Sequence, residues 1–210
     1  MRIYVETNFM LEMVFEQEQR DACENILRLV EGNVAVALAI PAVCFTEPHG
    51  RLQRQKGYRD ELQKMLTKEH REFARTRQFT REKGDAWSTV TGLLVSSTQE
   101  AEQRLESISE WLLRHAQVLP LTAEVIEAGL KYGKDYGLSP PDALVLGSVL
   151  RDPNLGQGPS CFMNRNTKDF DEPSIKNELE KYGCELKGSF VAGLSYVRHK
   201  LKLGMDSSGA

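Results

Sequence analysis

Short apolar runs alternate with longer amphipathic segments along this chain. Arg2–Val5 is a β-branched and aromatic run, and Val34–Ile40 is a continuous apolar run bounded by Gly-Asn on one side and Pro on the other. Runs of this kind predict strands that are buried on both faces of a parallel sheet. Three shorter strands are predicted at Gln117–Leu119, Cys161–Met163 and Cys184–Leu186.

Helical spacing of apolar residues fills the segments between these strands. Thr7 or Asn8 is the predicted N-cap of a first helix, and Thr122 and Ser139 are predicted caps further along. Because strands and helices alternate, the sequence predicts an α/β protein with a small, mostly parallel central sheet flanked by helices, in a three-layer α/β/α arrangement. Further helices are predicted over residues 20–31, 171–182 and 190–201.

A long polar helical segment separates the second strand from the third. Residues 42–113 are predicted to be almost wholly helical, with breaks at Gly57 and Gly84. We interpret about 51–114 as a helical insertion in a single domain over residues 1–203, because 210 residues fit one domain with an insertion better than two domains. The small and polar residues 204–210 are predicted to form a disordered tail.

Charge is distributed unevenly along the chain. The net charge of -3 does not indicate a bulk nucleic-acid binder, but residues 51–83 carry eleven Lys and Arg against five Asp and Glu, a local charge of +6. This segment fits two interpretations, a contact surface for a phosphate backbone or a solvated helical face. The sequence leaves both open.

The cysteines and the apolar runs indicate the compartment. No two of the four cysteines show CxxC spacing, so they are predicted to be free thiols in a reducing environment. The N-terminus lacks the apolar core of a signal peptide, and no run approaches the roughly 18 apolar residues of a membrane span. We therefore expect a cytoplasmic protein without a membrane partner.

Acidic and amide side chains follow the predicted strands or begin the helices after them, namely Glu6, Glu47, Asp142, Asn164, Asn166 and Asp169. Sites in open parallel sheets form beyond the carboxyl ends of the strands, so these residues are expected to converge. Hard divalent cations prefer oxygen ligands. A bound metal activates water and neutralises charge on a phosphoryl oxygen, so the pattern predicts a metal site for phosphoryl chemistry.

Structural roles also explain most of these residues singly. Asp142 ends a Ser-Pro-Pro-Asp sequence that resembles a helix-capping box, and Asn8 and Asp169 fit positions at helix starts. Glu47 fits a solvated helical position. Glu6 is the hardest to explain in this way, because a carboxylate at the end of a buried strand is costly unless it is paired or bound to metal.

Three segments together resemble the signature segments of the PIN-domain family of metal-dependent nucleases, of the VapC type. They are YVETN near the N-terminus, PPDALVLGSVL in the second half and CFMNRNTKDF about twenty residues later. The resemblance covers roughly Met1–Arg51 and Leu119–Leu201, and the insertion has no counterpart in the smallest family members. It implies a nuclease that uses Mg²⁺ or Mn²⁺ and acts most often on RNA.

Carried over by position, Glu6, Glu47 and Asp142 match the first three acids of the family, and Asn8 matches a polar residue beside the first. The fourth acid falls at Asn166 or Asp169. Two departures stand out: Glu6 replaces the usual Asp, and Asn166 stands where the family often has Asp.

The leading hypothesis is a metal-dependent phosphodiesterase, an endoribonuclease. Glu6 and Asp142 are expected to hold the principal metal, with Glu47 and Asp169 completing the cluster or positioning water. Asn8, Asn164 and Asn166 are expected to orient ligands. The candidate contacts to nucleic acid are Arg51, Arg54, Arg165 and Lys168, although the last two alternatively pair with the acids.

Other classes of function remain open. The two departures favour a catalytically weak or inactive PIN-like module that binds nucleic acid or a protein. A toxin-like nuclease silenced by a small antitoxin-like partner is a third hypothesis. RNA is the expected substrate, with DNA as the alternative, and apolar residues on the long helices permit a homodimer.

Overall fold

The fold is built on a parallel sheet. The computed structural model describes residues 1–207 of the chain. Within these residues the sheet has five strands in the order β3-β2-β1-β4-β5, and every neighbouring pair is parallel. The predicted α/β fold is confirmed, and the sheet is wholly parallel. The strands are β1 (Arg2–Val5), β2 (Ala37–Pro41), β3 (Gln117–Leu119), β4 (Ser160–Met163) and β5 (Cys184–Lys187).

Helices connect and cover these strands. They are α1 (Thr7–Val14), α2 (Arg20–Gly32), α3 (Thr46–Phe73), α4 (Arg81–His115), α5 (Ala123–Tyr136), α6 (Pro140–Leu150), α7 (Thr167–Phe170), α8 (Pro173–Glu180) and α9 (Phe190–Ser207), with a 3-10 turn at Ala42–Phe45. Helix α2 packs on α1 and α9, whereas α5 packs on α6. Because crossovers between parallel strands are right-handed as a rule, this strand order is expected to place the two groups on opposite faces of the sheet. None of the helices described here is long and apolar enough to cross a membrane.

Several predicted boundaries differ from the structure. Strand β2 begins at Ala37 and not at Val34, whose side chain is fully exposed. The helix predicted over 171–182 is α8, which begins at Pro173 and ends at Glu180, and a separate short helix α7 precedes it. Helix α9 continues to Ser207, across part of the predicted tail, and residues 208–210 lie outside the described part of the chain.

The chain reverses its direction of travel across the sheet between β1 and β4. It moves outward from β1 to β2 and β3, then returns to the other side of β1 and continues to β5. Ligands bind at such switch points, beyond the carboxyl ends of the strands. The register pairs Val5 with Met163, so Glu6 and Asn164 follow at the same level of the sheet.

A buried ion pair anchors the opposite end of the sheet. Arg2 lies 2.7 Å from the Asp152 carboxylate, and the Tyr4 hydroxyl donates to the same Asp152 oxygen at 2.8 Å. Burial and the Asp152 charge raise the pKa of Tyr4 above its usual range, so the phenol keeps its proton and its donor role. These contacts tie β1 to the residues that follow α6.

Helices α3 and α4 form an antiparallel hairpin, which we call the arm. Lys56 pairs with Glu102 at 3.0 Å, and Arg59 donates to Thr98 at 2.7 Å. Beyond Arg51, the residues of α3 that are not exposed recur at spacings of three and four, as in helices packed side by side. The buried and half-buried positions are Leu52, Gln55, Arg59, Gln63, Leu66, His70 and Phe73.

The predicted breaks in the long helical segment are wrong. Gly57 and Gly84 lie inside α3 and α4, and the turn of the arm falls at residues 74–80. A glycine inside a helix costs only about 1 kcal/mol. Packing between the two arm helices offsets that cost.

Two glycines allow α5 and α6 to cross closely. A Cβ added at Gly147 would lie 3.0 Å from the Val125 carbonyl oxygen and 3.3 Å from the backbone nitrogen of Gly129. These neighbours are backbone atoms of a packed helix, so neither moves without separating the helices.

We expect Gly147→Ala to destabilise the protein by about 1–3 kcal/mol, because the added methyl group overpacks this crossing. Gly92→Ala is the matched control, since a Cβ at this helical position meets nothing within 4 Å. The control is expected to stabilise α4 by about 0.5–1 kcal/mol. Urea unfolding measures both changes, and equal stability of the two variants would contradict the close crossing.

Candidate functional site

An open cleft lies at the carboxyl edge of the sheet, at the switch point. Its volume is about 820 Å³, and polar side chains from the α1–α2 connection, the start of α3 and the β4–α7 loop line it. Among the predicted site residues, it collects Asn8, Glu47, Arg51, Arg165 and Asn166. The chain thus brings residues from three distant segments to one surface.

Glu6 is buried beside this cleft and caps α1. Its carboxylate accepts the backbone N–H of Asn8 at 2.8 Å and that of Arg165 at 3.4 Å. The side chains of Thr7 and Asn8 are therefore not the cap, because the longer side chain of Glu6 folds back over the first turn. Burial raises the pKa of Glu6 to about 7, and the Glu47 charge adds to this effect, while the two N–H donors oppose it.

A second group of acids meets at one amide. The Asn166 side-chain amide donates to Asp169 at 2.7 Å and to Asp142 at 3.5 Å. Ser139 caps α6 as predicted, and its hydroxyl also donates to the Asp142 carboxylate at 2.5 Å. The Asn164 side chain accepts the backbone N–H of Asn166 at 2.6 Å and shapes this loop. The capping role and the place in the cluster of acids therefore coexist at Asp142.

Arg165 is held between two further acids. Its guanidinium pairs with Glu12 and with Glu18, the latter at 3.0 Å. The Glu12 side chain is only 1% exposed and also accepts the backbone N–H of Gln19 at 2.7 Å. Of the two interpretations of Arg165, pairing with acids is the one present in this structure.

Glu12 was missed by the sequence interpretation. It is the only acid in the otherwise uncharged helix TNFMLEMV, and five of its seven helical neighbours are buried. A buried carboxylate needs a cation or several donors. An acid in an apolar helix was therefore the available signal, although nothing local identifies Arg165 as its partner.

The remaining predicted residues lie on α3 and α7. Glu47 is exposed in the first turn of α3, and Arg51 lies one turn further, 5.4 Å from the centre of the Phe15 ring. Arg54 continues outward on α3, and Lys168 is exposed on α7. Neither Arg54 nor Lys168 lines the cleft.

The acids of the site are chemically suited to a hard cation, but they lie in pairs. Within residues 1–207, no three His, Cys, Asp or Glu side chains lie close enough together to hold one metal ion. Asp142 and Asp169 share the Asn166 amide, and Glu47 acts on the charge of Glu6. Mg²⁺ usually takes one or two carboxylates and keeps several waters. The Asp142 and Asp169 carboxylates therefore match the ligand number of such an ion, and the described residues contain no group of three carboxylates around one point.

The chain shows little similarity to known proteins. No protein-family model and no curated protein matches the sequence. Among solved structures, the crystal structure of VapBC2 from Rickettsia felis bound to a DNA fragment from its promoter matches with a TM-score of 0.40 and 13% sequence identity, covering 89% of this chain and 98% of that chain. A similarity at this level assigns neither a family nor a function.

The burial of Glu6 predicts a pH-dependent cost in metal-free buffer. Its pKa rises from 4.5 to about 7 on folding, so the folded protein keeps a proton that the unfolded chain releases between these values. The contribution of Glu6 to the stability of the native chain is therefore most favourable below the unfolded pKa and is lost as the pH rises through about 7. Relative to the native chain, the free energy of unfolding of Glu6→Gln should rise by up to about 3 kcal/mol between the acid and alkaline ends of this window.

Urea unfolding in the presence of a chelator, at a series of pH values, measures this gap. Glu106→Gln, which removes an exposed carboxylate of the arm, is the control and should follow the native chain. If the free energies of unfolding of Glu6→Gln and the native chain differ by the same amount at all pH values, the pKa of Glu6 does not rise on folding.

Proposed function

We propose that this chain is a metal-dependent phosphodiesterase that cleaves nucleic acid, an endoribonuclease that uses Mg²⁺ or Mn²⁺. The observation that carries the proposal is the contact of Asp142 and Asp169 with the single amide of Asn166. These carboxylates come from separate segments and meet at the switch point, beside a cleft that also contains arginines. An arrangement of this kind suits a cation that joins protein oxygens to a phosphate group.

Asp142 and Asp169 would hold the ion, with Asn166 beside them. A bound Mg²⁺ or Mn²⁺ supplies charge stabilisation at a phosphoryl oxygen and a more acidic water. The Asn166 amide satisfies part of the negative charge of both aspartates, and its carbonyl offers an additional oxygen ligand. Ser139 fixes Asp142 through its hydroxyl, so α6 presents that carboxylate in one orientation.

Glu6 and Glu47 form the second acidic pair of the proposed site. Glu6 joins the end of β1 to the β4–α7 loop through the backbone N–H of Arg165, and it therefore holds the loop that carries Asn166. Glu47 is exposed at the cleft and is free to orient water or a metal-bound ligand. In this proposal, Glu6 acts mainly on the shape of the site and Glu47 on its solvent side.

Arg51 and Arg165 supply the positive charge that phosphate recognition needs. Arg165 is oriented by Glu12 and Glu18, and a guanidinium retains further N–H donors beyond those two contacts. Charge-assisted bonds from arginine to phosphate are among the stronger hydrogen bonds in proteins. Arg54 and Lys168 would extend this contact outside the cleft.

One observation favours the second candidate, a nucleic-acid-binding or protein-binding module without catalysis. The Asn166 amide and the Arg165 guanidinium already satisfy acids of the site within the folded chain. A site whose acids are already paired with groups of the same chain has less need of a cation. The two candidates differ in one outcome, which is cleavage that depends on metal.

The test is cleavage of labelled single-stranded RNA, structured RNA and DNA with Mg²⁺ or Mn²⁺. Asp142→Asn and Asp169→Asn are each expected to lower the rate on the order of 100-fold or more, because each removes a charged oxygen from the proposed ion. The asparagine introduced at position 142 keeps a carbonyl for the Ser139 hydroxyl, so the start of α6 is expected to remain folded. Asp171→Asn, at an exposed residue that pairs with Lys176, is the matched control and should cut normally.

A second readout separates metal binding from turnover. Added Mn²⁺ is expected to raise the melting temperature of the native chain and of Asp171→Asn, but not that of an Asp142→Asn and Asp169→Asn double variant. Metal-independent melting together with no cutting of any substrate would refute the nuclease proposal. RNA binding in the same experiment would then support the binding module.

A further inference from the structure

The outer side of the arm carries a basic groove. Lys64, Lys68 and Arg71 recur at spacings of four and three on α3, which places them on one side of the helix. They line an open groove of about 490 Å³ together with Gln63, Thr67 and one acid, Asp60. Much of this groove lies away from the row of residues that packs on α4.

These three cations are not used by the fold. Elsewhere on the arm, Lys56 pairs with Glu102, and Arg104 pairs with Glu100. Among the described residues, Lys64, Lys68 and Arg71 form no salt bridge within 4 Å, and all three are exposed. Lys64, Lys68 and Arg71 repel one another at spacings of three and four, and Asp60 and Glu72, each four residues from one of the lysines, offset only part of that repulsion. A polyanionic ligand removes that repulsion.

The groove and the candidate site lie along one helix. Glu47 and Arg51 of the cleft belong to the first turns of α3, and Arg71 lies near its end. Twenty residues of helix separate Arg51 from Arg71, a rise of about 30 Å. At about 3.4 Å per nucleotide of a helical strand, this length corresponds to roughly nine nucleotides. At about 100° per residue, the same twenty residues also turn the helix by roughly 200° beyond whole turns, so Arg71 faces away from Arg51. A single strand that reaches both places must therefore be extended and must cross the surface of α3.

We propose that the Lys64–Lys68–Arg71 groove binds the phosphate backbone of an RNA strand whose other part occupies the cleft. The inference rests on the proposed function for the choice of nucleic acid as ligand. It adds that the arm selects substrates by length, because a short oligonucleotide fills the cleft without reaching the groove. Asp60 and the neutral side chains leave the groove net positive, which favours backbone contact over reading of bases.

The test measures equilibrium binding of labelled single-stranded RNAs of about six and about twenty nucleotides, over a series of salt concentrations and with a chelator present to prevent cleavage. The groove variant is Lys64→Ala, Lys68→Ala and Arg71→Ala combined. The matched control removes three exposed cations outside the arm, Lys131→Ala, Lys134→Ala and Arg198→Ala. Alanine favours helix, so both variants are expected to fold.

For the longer RNA, the groove variant is expected to bind at least about tenfold more weakly than the native chain at low salt. Its salt dependence should lose about two units of slope, since three phosphate contacts to a single strand are removed. Binding of the short RNA should be unchanged. The control variant should bind both RNAs as the native chain does.

The inference is overturned if the groove variant keeps its affinity and slope for the longer RNA, or if the control loses as much. It is also overturned if the groove variant binds both RNAs more weakly by the same factor, because the groove would then not distinguish RNAs by length. A native chain that binds the longer RNA through the groove but never cuts it refutes only the nuclease proposal. A native chain that cuts RNA while the groove variant binds normally refutes only the groove.

Discussion

The parallel pairing of β1 with β4 is the constraint on which the site depends. Val5 lies opposite Met163, so the chain emerges from both central strands at the same level and turns into α1 and the β4–α7 loop. Glu6 then bonds to the backbone of Arg165, which fixes one segment against the other. A shift of this register would separate the two segments and disperse the cleft.

Balance of buried charge is the second organising feature. Glu12 is enclosed and pairs with Arg165, while Glu6 is enclosed and relies on two backbone N–H donors. Removing one partner of a buried ion pair typically costs about 3–5 kcal/mol, because the other charge is left unpaired. The same side chains that would recognise phosphate therefore also hold the cleft together, and Arg165 is expected to be sensitive in both respects.

Local signals in the sequence predicted the elements that local physics sets. The apolar run at the N-terminus forms β1, and Ser139 followed by two prolines starts α6. Roles that depend on distant partners were not predictable. Glu12, for example, pairs with Arg165, which lies in the loop after β4. The breaks placed at Gly57 and Gly84 failed because the contact of α3 with α4 outweighs the weak helix preference of glycine. The convergence of Asp142 with Asp169 followed from the strand-end rule, whereas the bridging role of the Asn166 amide did not.

Crystals of the native chain grown with Mn²⁺, with the ion located by its anomalous scattering, test the central claim most directly. We predict one manganese at the carboxyl edge, held by Asp142 and Asp169 at distances of about 2.1 Å, with the Asn166 amide nitrogen displaced from between them. No manganese at this edge, with Asn166 still donating to both aspartates, would contradict the metal site and leave the cluster as a structural link between α6 and the β4–α7 loop.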